Sequence, residues 1–82
     1  MKYDPDKVDE MTLALLYLVS TKLKETPGAR AWKGFDRETL NRLHKKGWIE
    51  TLDSKSPTLL ITEEGYRKSE QLFRKNFGIK NK

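Results

Sequence analysis

Apolar residues follow a helical spacing over the first part of the chain. From residue 5 to residue 24 they recur on all sides of an axis with about 100° per residue, which predicts one long helix. Asp4 suits the N-cap of this helix and Pro5 suits its first position. Between Met11 and Val19 the helix is apolar almost all round. Such a helix must be enclosed, either at the centre of the domain or partly against a second copy of the chain.

The second predicted helix is shorter and covers residues 37–46. Asp36 suits its N-cap, and Gly47 stands where a left-handed glycine commonly ends a helix. Leu40 and Leu43 form its inner side. Its outer side is expected to carry Glu38, Asn41, Arg42 and Lys45. The stretch 28–34 between the two helices is predicted to be a connector that holds at most one helical turn, around residues 29–33.

Two short β-prone segments, 48–52 and 58–61, flank a polar turn and predict an antiparallel hairpin. Thr62 then caps a third helix that Gly78 ends, and Gly65 in its first turn is expected to allow close backbone packing. The predicted fold is mainly α with a small two-stranded antiparallel hairpin, in the order helix, helix, strand, strand, helix. This is a reduced winged helix. It forms a single domain, 1–82, with 1–4 and 79–82 frayed.

Two segments carry a resemblance to known proteins. KKGWIE (45–50) and LLITEEG (59–65) resemble the wing region of winged-helix regulators of the MarR and PadR type, which implies a winged helix that binds DNA. The whole chain also resembles a small bacterial family of unknown function, through YDPDKVDE (3–10), LALLYL (13–18) and ARAWKGFD (29–36). One departure from the regulators is clear: a helix-turn-helix needs a supporting helix just before the recognition helix, and none is predicted here.

Charge is unevenly distributed along the chain. Residues 1–28 hold four Lys or Arg and five Asp or Glu, a net −1, whereas residues 29–82 hold thirteen and seven, a net +6. This balance suits a polyanionic partner, or simply a well-solvated surface. The absence of cysteine fits a reducing compartment, so we expect a cytoplasmic protein. The longest apolar run, 11–19, is shorter than the roughly 20 residues that cross a membrane, and no membrane association is expected.

Double-stranded DNA is the first partner that the sequence predicts. Arg and Asn side chains can read guanine and adenine edges, and Lys side chains can hold phosphates. The expected nucleic-acid-binding residues are Arg37, Asn41, Arg42, Lys45, Lys46 and Lys55. The alternative for the second helix is a solvated face in which Glu38 and Arg42 form an ordinary i,i+4 pair.

A non-catalytic protein-interaction module on the same scaffold is the alternative function. Its contact residues would be Arg30, Trp32 and Lys33. For Trp32 itself, the large apolar area of the indole favours a place in the core between the first two helices over an exposed docking role. A homodimer through the first helix fits both functions. His44, the only histidine, is interpreted as a half-buried helix residue. No motif predicts a catalytic residue, a cofactor site or a metal site, so the chain is not expected to be an enzyme.

Overall fold

The computed structural model describes residues 1–50 and 55–79. Over these residues the chain forms three α-helices and a three-stranded antiparallel sheet. In chain order the elements are α1 (Pro5–Val19), β1 (Thr21–Lys22), β2 (Ala29–Trp32), α2 (Arg37–Lys45), β3 (Thr58–Ile61) and α3 (Glu63–Phe77). The prediction of a mainly helical chain with a small antiparallel sheet is confirmed, but the sheet is larger than predicted.

Helix α1 begins as predicted and ends earlier. The side chain of Asp4 accepts a hydrogen bond from the backbone N–H of Asp6 at 3.0 Å, which caps the N-terminus. At the other end, the backbone of Ser20 is extended, and both its N–H and its hydroxyl donate to the carbonyl oxygen of Tyr17. A serine that binds the backbone in this way competes with continued helix. The predicted end at residue 24 is therefore wrong, and the chain turns into β1.

The predicted connector before α2 is a β-strand. Strand β2 pairs with β3 in antiparallel register from Ala29 opposite Ile61 to Trp32 opposite Thr58. Its other edge is covered by the short β1. The single helical turn that the prediction allowed around 29–33 does not form. Ala29 and Ala31 are buried while Arg30 and Trp32 face outward, which is the alternation of a strand. Residues 20–36, all of which the structure describes, contain no helix between α1 and α2.

The return strand 58–61 is confirmed, whereas its predicted partner is only partly visible. Ile49 forms an isolated bridge with Ile61, and the N–H of Glu50 donates to the carbonyl oxygen of Leu60 at 2.9 Å. Trp48 is not part of a strand, and its N–H donates to the carbonyl oxygen of Leu43. Residues 51 and 52 of the predicted strand lie outside the described residues. The hairpin is thus one part of a sheet to which β1 and β2 also contribute.

Helix α3 packs along α1 and closes the core. Tyr17 of α1 lies between Tyr66 and Phe73 of α3, with ring centroids 5.5 Å apart in each pair. Gly65 is buried, and a Cβ atom there would overlap the carbonyl oxygen of Trp48, so the predicted close backbone approach is confirmed. The buried apolar residues are Leu13, Ala14, Leu16, Ala29, Ala31, Leu40, Leu43, Ile49, Leu59, Ile61 and Leu72. In the described ranges, no helix has the length and apolar character needed to cross a membrane.

Candidate nucleic-acid interface

A buried ion cluster fixes α2 against α1. The side chain of Asp9 has no solvent exposure, and its two carboxylate oxygens accept hydrogen bonds from Nε of Arg42 at 2.8 and 3.0 Å. Nζ of Lys46 donates to the same carboxylate at 2.8 Å and to Asp6 at 3.0 Å. Arg42 also donates from Nη2 to the hydroxyl of Thr39 at 3.2 Å. One carboxylate of α1 therefore holds two cations that stand one turn apart near the C-terminal end of α2.

The cluster keeps both cations charged. The hydrogen bond to Asp9 is the main reason why the pKa of Arg42 is raised, and it outweighs the opposite effect of burial. For Lys46, burial lowers the pKa, but hydrogen bonds to Asp9 and Asp6 together raise it above its usual value. Because a buried carboxylate is costly unless it is paired and hydrogen-bonded, the two cations are what allow Asp9 to lie inside the domain.

The cluster corrects the predicted outer face of α2. Arg42 and Lys46 were expected to point toward a nucleic acid, but the structure turns both toward α1 and leaves them partly buried. The placement of Arg42 on the outer face is therefore wrong, because a buried carboxylate attracts it to the inner edge of the helix. Its hydrogen bonds go to Asp9 and Thr39, whereas the alternative considered for this helix was an i,i+4 pair with Glu38.

A row of three exposed side chains remains on the solvent side of α2. Arg37, Asn41 and Lys45 stand at positions i, i+4 and i+8 and are all exposed. Their side chains form no hydrogen bond or ion pair with the other residues that the structure describes. We call these three residues the α2 row. His44 flanks the row and is exposed, so its prediction as a half-buried residue is wrong.

Other predicted contact residues lie on or near the sheet. Trp32 is 63% exposed on the outer face of β2, so the prediction that it closes the core is wrong. Its indole ring lies against Gly34, where a Cβ atom would overlap the ring. Arg30 lies on the same face of β2, and Lys33 follows with its backbone N–H bonded to the carbonyl oxygen of Pro57 at 3.1 Å. Lys55 is exposed two residues before that proline.

The sequence contains a signal for the cluster that the predictions above do not include. Asp9, Leu13 and Leu16 stand at i, i+4 and i+7, so an acidic residue continues the row that points into the core. An acidic residue on such a row requires a cationic partner from another element. Arg42 and Lys46, one turn apart on the next helix, are candidates of the right charge.

The α2 row offers hydrogen-bond donors. The described residues contain no cluster of three or more His, Cys, Asp or Glu that could hold a metal ion.

Fold and surface together define a small, mainly helical domain with a polar, cation-bearing helix face. The chain belongs to the family described as a domain of unknown function, DUF6429, whose model matches residues 4–79. The resemblance to a bacterial family of unknown function is thereby confirmed.

A bacterial relative matches the chain over almost its whole length. The chain is 46% identical over 77 residues to "Uncharacterized protein y4hR" of Sinorhizobium fredii (strain NBRC 101917 / NGR234), and the match covers 94% of this chain and 97% of the relative. No solved structure matches the chain at a significant level.

Proposed function

We propose that this domain binds duplex DNA as a reduced winged helix of the MarR and PadR type, with α2 in the major groove. The observation that carries the proposal is the α2 row. Arg37, Asn41 and Lys45 project from one exposed side of a helix whose other sides are occupied by the core and by the Asp9 cluster. A helix held in this way presents its exposed side chains in a fixed orientation.

The dimensions and chemistry of the α2 row suit a major groove. A helix with its side chains is about 10–12 Å across, which fits the roughly 12 Å width of the groove, and the eight residue steps of the row span about 12 Å along the helix. Arg37 and Asn41 supply paired donors of the kind that read guanine and adenine edges, and Lys45 suits a phosphate. Exposed Lys55, in the segment that precedes β3, would contact the DNA backbone as the wing does in winged-helix proteins.

No supporting helix precedes α2 in residues 20–36, so α2 is held differently from the recognition helix of a helix-turn-helix, and its outer side is exposed. In a helix-turn-helix, the first helix crosses the DNA backbone and positions the second. Here the β1–β2 hairpin occupies that part of the chain, and α1 anchors α2 through Asp9. The proposal therefore predicts a smaller DNA contact than a full winged helix makes, with correspondingly weak binding by one copy of the domain.

A salt-dependent titration of labelled duplex DNA tests the proposal. The full chain should bind at about 50 mM salt, and its affinity should fall steeply as salt rises, because phosphate contacts release counterions. Arg37→Ala combined with Lys45→Ala should weaken binding by roughly 10- to 100-fold, since the one base contact of Arg37 contributes about 1–3 kcal/mol and the phosphate contact of Lys45 is lost with it.

The matched control removes two exposed cations from α3. Arg67→Ala with Lys75→Ala lowers the net charge equally and leaves the α2 row intact. It should change affinity far less than the double substitution in the row. Circular dichroism establishes that both variants are folded. An absence of duplex binding at 50 mM salt, or equal weakening by both double variants, would refute recognition through α2.

The second candidate function is a non-catalytic protein-interaction module, and the exposure of Trp32 favours it. An indole with 63% of its surface exposed is the type of anchor found at the centre of protein interfaces. Leu60, which is 38% exposed and lies opposite Arg30, adds apolar surface to the same face of the sheet. The same titration separates the two functions. If the module binds protein and not DNA, no salt-dependent duplex binding appears. A cytoplasmic location, which the lack of cysteine favours, belongs to both proposals.

A further inference from the structure

Helix α1 carries an apolar row that the described residues cover only in part. The row consists of Val8, Met11, Leu15 and Leu18, and we call it the α1 stripe. Leu15 is 40% and Leu18 63% exposed, while Val8 and Met11 are partly buried. Val19, beside the stripe, is 51% exposed. The steps of three, four and three residues are those of the a and d positions of a heptad, which pack one helix against another.

The α1 stripe is separate from the face that forms the core. The core side of α1 is marked by Asp9, Leu13 and Leu16, all without solvent exposure. Leu18 follows Asp9 by nine residues, which places it about 180° away around a helix of 3.6 residues per turn. The sheet, α2 and α3 are packed on the other sides of α1, and the described residues leave Leu15 and Leu18 exposed.

We propose that the α1 stripe is an interface between two copies of this chain, in which the two α1 helices pack antiparallel about a two-fold axis. In this arrangement Val8 packs against the partner's Leu18, and Met11 against the partner's Leu15. An interface about a two-fold axis must be complementary to itself, and a stripe of four uncharged apolar side chains meets that condition. The proposal concerns association of the domain and does not depend on DNA binding.

The charges at the ends of α1 select the antiparallel arrangement. The first turn contains Asp6 and Lys7 follows it, whereas the last turn contains no basic residue. An antiparallel pair with Val8 opposite the partner's Leu18 brings Lys7 beside the partner's last turn, where a cation interacts favourably with the helix dipole. A parallel pair would instead bring Lys7 close to its own counterpart, with like charges at the same end.

The area of the α1 stripe indicates a modest affinity. A helix of 15 residues is about 22 Å long. Contact along one such helix belongs at the low end of specific interfaces, with less than about 1,200 Å² buried in total. We therefore expect a dimer that dissociates at concentrations on the order of 1–100 µM.

Sedimentation velocity of the full chain across roughly 1–500 µM tests the interface, because this range spans the expected dissociation constant. The wild-type chain should shift from monomer to dimer within it. Leu15→Ser combined with Leu18→Ser should weaken association at least about tenfold, since it removes two apolar contacts from each copy. Leu60→Ser is the matched control, because Leu60 is 38% exposed but lies on the sheet, and it should leave the dimer unchanged.

Cross-linking tests the orientation, since the chain contains no cysteine of its own. When Met11→Cys and Leu15→Cys variants are mixed and oxidised, the antiparallel pair should form the mixed disulfide in preference to either homodisulfide. A chain that stays monomeric at about 500 µM, far above the expected dissociation constant, overturns the proposal. So does equal disruption by Leu60→Ser, or a Leu15→Cys homodisulfide as the main product, which would show a parallel pair.

Discussion

The Asp9→Asn substitution tests whether the buried ion cluster stabilises the domain. It removes the negative charge but keeps a side chain of nearly the same shape, so it leaves two cations beside a neutral amide. Removing one partner from a buried ion pair commonly costs about 3–5 kcal/mol. Here the side chains of Arg42 and Lys46 are 29% and 30% exposed and can turn partly toward water, which lowers the expected cost to about 2–4 kcal/mol.

This loss is large compared with the stability of a domain of this size. At about 0.05–0.15 kcal/mol per residue, 82 residues correspond to roughly 4–12 kcal/mol in total. Urea denaturation followed by tryptophan fluorescence measures the loss, because Trp48 is partly buried and Nζ of Lys46 lies 5.2 Å from the centre of its ring. A double-mutant cycle of Asp9→Asn with Arg42→Gln should give a coupling energy of at least about 1 kcal/mol, as residues of one network do.

Asp6→Asn is the matched control. The side chain of Asp6 contacts the same Lys46 but is 82% exposed, and exposed ion pairs contribute about 0–1 kcal/mol. The substitution of Asp9 should therefore cost at least twice as much as that of Asp6. If Asp9→Asn lowers the free energy of unfolding by less than about 1 kcal/mol, or by the same amount as Asp6→Asn, the cluster does not anchor α2 as described.

Two further predictions concern packing and pH. Gly65→Ala places a Cβ atom against the carbonyl oxygen of Trp48, so α3 must shift. We expect the free energy of unfolding, measured by thermal unfolding, to fall by about 1–3 kcal/mol. A variant as stable as the wild-type chain, or more stable, would contradict this. The raised pKa of Lys46 means that its contribution to stability is complete below the unfolded pKa of about 10.4 and is lost as pH rises through the folded value. Burial also raises the pKa of Tyr66 and acts in the same direction. Alkaline unfolding should therefore begin above about pH 10. Lys46→Arg should move the unfolding to higher pH, because the arginine side chain stays charged. Identical curves of unfolding against pH for the two proteins would contradict the role given to Lys46.

The parts of the fold that could be predicted are those defined by neighbouring residues. Asp36 caps α2 by accepting from the N–H of Thr39 at 3.1 Å, and Gly47 follows the helix with a φ of 80°, as its position in the sequence predicts. Thr62 caps α3 by accepting from the N–H of Gly65 at 2.9 Å. Caps of this kind involve residues three or four apart, so a single sequence contains the whole signal.

The parts that could not be predicted depend on residues far apart in the chain. Strand β2 alternates buried alanines with outward residues, but four residues are too few to distinguish a strand from a loop until Ile61 and its neighbours pair with them. The direction of Arg42 likewise depends on Asp9, which is 33 residues away. The exposure of Trp32 follows from the same pairing, since the register of β2 decides which residues face outward.

One consequence of the arrangement around α1 is that anchoring of α2 and association of two copies should be independent. Asp9 and Leu18 lie on opposite sides of the helix, and the substitutions that test them share no contact in the structure. If the α1 stripe is an interface, Asp9→Asn should lower the free energy of unfolding without changing association through the stripe. Association must be measured under conditions in which the variant stays folded. Conversely, Leu15→Ser with Leu18→Ser should leave the α2 row intact, so the DNA affinity of a single copy should be unchanged. Only the additional affinity that comes from linking two copies should be lost. If the DNA affinity falls by more than this additional affinity, the substitutions on the outer face of α1 must also change α2.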